Sequence, residues 1–64
     1  MKVYVLIETR EVINGIYIQA YKYIDGIFTN EEAAQAEKQK LEKEYQSTEM
    51  MHFHFDVEEH ELIG

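Results

Sequence analysis

The sequence predicts an α+β fold of order ββαβ: a three-stranded antiparallel sheet in the order 2-1-3 with one helix on one face. Three observations predict it. Two runs rich in β-branched and aromatic residues, 2–9 and 16–24, come before Gly26. A stretch of good helix formers occupies 30–46, and a last alternating run fills 51–63. A right-handed crossover from the second strand through the helix to the third passes over the first strand, which becomes central.

The first strand carries Val3, Val5 and Ile7 on one parity and Tyr4, Leu6 and Glu8 on the other. Apolar residues on both faces suit a central strand. Alternation fades over 10–14, and Asn14-Gly15 tolerates the positive φ of a hairpin turn. In the second strand Ile16, Ile18, Ala20 and Ile24 share one side, interrupted by Lys22, while Tyr17, Gln19, Tyr21 and Tyr23 share the other.

Asp25-Gly26 predicts a turn, and Thr29 with Glu32 forms a capping box that starts the helix. Phe28 is placed to staple onto Ala33. Glu31 and Glu32 complement the dipole in the first turn. Ala34, Leu41 and Tyr45 make a narrow apolar stripe, with the stems of Glu37 and Lys38 between them. After a polar connection at 46–49, the last strand sets Met51, Phe53, Phe55 and Val57 against His52, His54, Asp56, Glu58 and His60. The apolar phase shifts to Leu62, which predicts a bulge near Glu58-Glu59.

One helix covers one sheet face. The expected covered face holds Val3, Val5, Ile7, Ile16, Ile18, Ala20, Ile24, Phe53, Phe55 and Val57 against Ala34, Leu41 and Tyr45. The expected open face, and the expected partner or dimer surface, collects Tyr4, Leu6, Tyr17, Gln19, Tyr21, Tyr23, His52 and His54, with Asp56 and His60 beside them. Tyrosines offer contact area with few torsions to freeze and a polar tip, which suits protein recognition.

Sixty-four residues make one domain, 1–64, that buries only about 60% of its unfolded surface. Without cysteine there is no disulfide or thiolate staple, so self-association, most simply a homodimer, is expected to supply missing burial. Thirteen acidic against six basic residues give a net charge of -7, which opposes direct nucleic-acid binding. No apolar run is long enough to span a membrane and no signal-type N-terminus is present, so the chain reads as soluble and cytoplasmic.

His52-x-His54 projects two imidazoles from one strand face, with His60 or Asp56 as a third metal ligand, but the same alternation is what an amphipathic strand shows. No cofactor is expected. Catalysis lacks support: the single serine, Ser47, lies in a polar connection, and the consecutive Glu58 and Glu59 face opposite ways on a strand. An acidic nucleic-acid mimic needs carboxylates of one sign on one surface, whereas the helix mixes Lys38, Lys40 and Lys43 with Glu37, Glu42 and Glu44.

Three stretches, 1–6 (MKVYVL), 26–33 (GIFTNEEA) and 57–62 (VEEHEL), together resemble the small ββαβ proteins common in phages and the bacteria they infect. The resemblance implies a phage or prophage accessory protein, a class that includes inhibitors of bacterial defence, working in the host-cell cytoplasm. The expectation is therefore a non-catalytic module that binds a protein partner, a bacterial host protein. The alternatives are an oligomeric binder that sequesters a small nucleotide signal, its base stacked on tyrosine, and the acidic nucleic-acid mimic.

Overall fold

The computed structural model describes residues 1–63. Strand β1 spans Lys2–Asn14, strand β2 Tyr17–Phe28, helix α1 Glu31–Glu44 and strand β3 Met51–Glu61. The strands form one antiparallel sheet in the order β2-β1-β3, with the two-sided apolar strand β1 in the centre. The fold is the predicted ββαβ.

Asn14 pairs with Tyr17, so Gly15 and Ile16 alone make the hairpin loop. Gly15 has φ +64° and, among the described residues, no non-glycine residue has positive φ, the pattern of a type II′ turn whose twist matches its strands. Strand β2 then runs longer than expected, because Asp25-Gly26 does not turn the chain. The register against β1 slips by one between Leu6 and Ile7: Leu6 pairs with Gly26, Ile7 with Ile24, and Asp25 is the extra residue of a β-bulge. Gly26 leaves room for the Phe28 ring, which a Cβ at position 26 would meet at 2.7 Å. No bulge forms at Glu58-Glu59, since β3 pairs with β1 in unbroken register from Lys2↔Glu61 to Val12↔Met51.

The helix is capped one residue later than the Thr29–Glu32 box predicts. Asn30 is the N-cap, and its side-chain Oδ1 accepts from the N–H of Glu32 at 2.8 Å and of Ala33 at 3.2 Å. Its short carboxamide satisfies two orphan donors at once, and Asn outranks Thr as a cap. The staple positions become Thr29 and Ala34, so Phe28 falls outside them. Ala34 is fully buried, while Leu41, Glu37 and Lys38 are half-buried on the same side.

Which sheet face the helix covers is where the structure departs most from the sequence reading. Directly paired strand residues share a face. Leu6 lies opposite Val57, Glu8 opposite Phe55 and Arg10 opposite Phe53, while across β2 Glu8 meets Tyr23 and Arg10 meets Tyr21. The ring of Tyr45, at the helix C-cap, packs 5.5 Å from Phe53 and 6.4 Å from Phe55 between centroids. The covered face is therefore the even-numbered side of β1. Phe53, Phe55 and Val57 are there as expected, but Val3, Val5, Ile7, Ile18, Ala20 and Ile24 lie on the opposite face and Ile16 is in the turn. Leu6, expected in the open, is fully buried.

The cause is the pairing of β1 with β3. Each strand alone offers apolar residues on one or both parities, and a one-residue difference in their mutual register exchanges every side chain between the faces. The resulting core is small: Leu6, Ala34 and Phe55 are its buried apolar residues on the helix side, joined by the buried carboxylate of Glu8, while Val3 is buried on the opposite face.

The cap gives a direct check. Asn30→Ala should lower unfolding stability by about 1 kcal/mol in urea titrations, and Thr29→Ala by much less. Equal losses at the two positions would point back to a Thr29 cap.

Candidate interaction surface

The residues expected to form one surface divide between the two faces. Tyr4, Leu6, Tyr17, Gln19, Tyr21 and Tyr23 lie on the helix side of β1 and β2, whereas His52 and His54 pair with Glu11 and Thr9 on the open side. The same register that moved the helix separates them.

On the helix side, α1 starts near the Tyr4–Phe28 end of the sheet and closes at Tyr45 above the Arg10–Phe53 row. The hairpin continues past it, so Tyr17, Gln19 and Tyr21 are uncovered; Tyr21 donates its hydroxyl to Gln19 Oε1 at 2.9 Å. Arg10 sits among three rings, its guanidinium carbon 5.0 Å from the Tyr23 centroid, 5.6 Å from Phe53 and 5.8 Å from Tyr45. These contacts are within the range of cation–π attraction. Tyr21 and Tyr23 are each 45% exposed and Tyr45 is 40% exposed, so their rings meet the protein on one side and solvent on the other. A cavity of about 270 Å³ adjoins them, lined by Glu42, Tyr45, Gln46, Ser47, Phe53 and Phe55.

Beside these rings lies an acid pair that the sequence did not single out, one member buried and the other, Asp25, exposed. Glu8 is 2% exposed, and its carboxylate accepts a hydrogen bond from Arg10 Nε. Asp25, the bulge residue, adjoins it. Burial pushes the Glu8 carboxyl up, but hydrogen bonds from Arg10 and Asp25 and the Arg10 charge outweigh it, and the group titrates below its ordinary value. Asp25 moves the other way, to about 6, because of desolvation and the hydrogen bond and charge of Glu8. Two adjacent carboxyls cannot both ionise cheaply, so Asp25 keeps its proton up to about pH 6.

The open face is different in kind. Along β2 it presents Ile18, Ile24 and Ile27, each more than 60% exposed, and beside them β1 adds Val5 and Ile7. A shallow groove of about 520 Å³ runs among Val3, Val5, Ile7, Ile24, Ile27 and Leu62, with Glu58, His60 and Glu61 at its rim. Toward β3 the face turns polar: His54 Nε2 lies 2.8 Å from Glu11 Oε1, and His60 Nε2 lies 3.1 Å from Glu58 Oε1. The histidines weighed as metal ligands each face a carboxylate in this way or, like His52, stand at the strand start. Among the described residues no three His, Cys, Asp or Glu side chains converge as a metal site.

Ser47 has a structural task. Its Oγ accepts from the N–H of Phe53 at 3.0 Å, and Thr48 Oγ1 accepts from Met50 and Met51, so the polar connection shields the outer edge of β3. Among the described residues no helix is long and apolar enough to cross a membrane. Comparisons with protein families, characterised proteins and solved structures found no match for this chain.

The acid pair predicts a pH signature. A carboxyl whose folded pKa is raised contributes stability below the ordinary aspartate range, and that contribution is lost as pH rises through about 6. Glu8 acts oppositely, its contribution being lost only as pH falls below the ordinary glutamate range. Between these limits Asp25 dominates. Unfolding stability should fall from about pH 4.5 to 7, and Asp25→Asn, which keeps a donor for Glu8 without the proton equilibrium, should flatten that fall. Parallel profiles for wild type and variant would rule out Asp25 as the source of that fall.

Proposed function

We propose that this chain is a small, acidic, non-catalytic protein-binding module that engages its partner with the tyrosines on the helix side of the hairpin. The observation that carries the reading is a group of half-exposed rings, Tyr23 and Tyr45 about the Arg10 guanidinium and Tyr21 at the strand position paired with Arg10. Tyrosine and arginine are over-represented among residues that dominate interface energies. These rings are already oriented by Gln19, Arg10 and Phe53, so little rotamer freedom remains to be lost on binding. The net charge of -7 favours encounter with a basic surface.

The Glu8 carboxylate is consumed within the core by Arg10 and Asp25 and does not line an open cavity, which supports a binding role over acid–base chemistry. The resemblance to phage accessory proteins names the partner class to search: a bacterial host protein, with components of host defence foremost. Nucleotide sequestration is a weaker reading, because the cation among the rings is already engaged by Glu8.

The test is affinity capture from bacterial lysate with wild type and with Tyr21→Ala and Tyr23→Ala, followed by calorimetry on the purified partner. Each variant should keep its circular dichroism spectrum and lose about tenfold or more in affinity. A partner bound equally by wild type and both variants would exclude the tyrosine surface, and thermal stabilisation by a nucleotide at micromolar concentration would favour the alternative.

A further inference from the structure

The single chain is thin and open for its size. Its Cα extents are 45 × 24 × 11 Å and its radius of gyration is 13.7 Å, against about 11 Å for a compact chain of this length. It exposes 4998 Å², whereas a folded monomer of its mass exposes about 4,300 Å². The excess of about 700 Å² approaches the ~800 Å² that each partner gives to a standard interface.

The most apolar part of that excess is the open sheet face. Ile18, Ile24 and Ile27 are 64%, 67% and 64% exposed on the edge strand β2, next to Val5 and Ile7 on β1. A long apolar edge strand left bare invites aggregation, and a core this small leaves the chain in need of cover whenever it folds. A second copy is the one occupant present whenever the chain is made.

We infer that the open sheet face seats a second copy of this chain, the two sheets packed face to face about a two-fold axis that runs parallel to the strands between β1 and β2. Charge selects that axis. On this face β3 presents Asp56 and Glu58 among His52, His54 and His60, and each chain carries a net charge of -7. A two-fold perpendicular to the strands would stack β3 on β3 and bring like carboxylates together. The parallel axis stacks β2 on the β1 of the second copy, aliphatic on aliphatic, and leaves each β3 outside as a polar rim. Lys22, the cation of β2 on this face, is level with Thr9 and so meets Thr9 of the second copy, one same-face position away from Glu11.

This arrangement goes beyond the tyrosine surface and leaves it free, because the tyrosines lie on the other face of each sheet. It is tested by sedimentation equilibrium with methyl NMR. Wild type should show twice the 7.6 kDa mass, and a soluble paramagnetic agent should leave the Ile24 and Ile27 methyl signals intact while bleaching Ile16 in the turn. Ile24→Lys combined with Ile27→Lys should give the single-chain mass, or an unfolded chain that no longer associates. A wild-type monomer throughout the micromolar range overturns the inference. So does a dimer whose Ile24 and Ile27 methyls are bleached, the outcome expected if two β2 edges pair instead. Tyr21→Ala should leave the mass unchanged, so failure of this inference and failure of the partner surface are separately visible.

Discussion

The register in which β1 lies beside β3 governs this molecule. With Glu8 opposite Phe55 and Leu6 opposite Val57, the even-numbered side of β1 must join the phenylalanines under the helix. Leu6 becomes the fully buried side chain of the sheet, and the small residue Ala34 lets the helix approach it. On the odd-numbered side Val3 is buried, but Val5 and Ile7 of β1 and Ile18, Ile24 and Ile27 of β2 have no layer of secondary structure above them.

That choice brings a carboxylate into the core, which is tolerable only because Glu8 is fully partnered. Arg10, two residues along the same strand and face, donates to it, and the bulge delivers Asp25 from β2 to its other side. The arrangement illustrates how an unpaired buried charge is avoided by neighbours on adjacent strands. Arg10 in turn gathers Tyr23, Tyr45 and Phe53 around its guanidinium. The polar interior and the aromatic exterior of the helix side are thus one connected structure. Its two sheet faces differ in kind, one aromatic about Arg10 and covered by the helix, the other aliphatic along β1 and β2 and polar along β3.

The element order, the central place of β1 and the hairpin at Gly15 were legible in the sequence, because each rests on local pattern: two-sided apolarity, helix formers, and a dipeptide suited to positive φ. The faces were not. Strand β1 offers Val3, Val5 and Ile7 on one parity and Tyr4 and Leu6 on the other, so alternation alone cannot say which side meets Phe53 and Phe55. The bulge was misplaced for a related reason: Asp25-Gly26 has turn chemistry, and whether such a pair turns or bulges depends on whether the partner strand continues beside it, as β1 does through Leu6 and Tyr4. The acid pair escaped notice because Glu8 and Asp25 are distant in sequence and become neighbours only through that bulge.

Cross-strand proton contacts report the β1–β3 register without intermediaries. Two-dimensional NMR should show backbone contacts pairing Glu8 with Phe55 and Leu6 with Val57, together with ring contacts from Tyr45 to Phe53. Backbone contacts that instead pair Ile7 with Phe55 and Val5 with Val57 would place the aliphatic side beneath the helix and overturn this register.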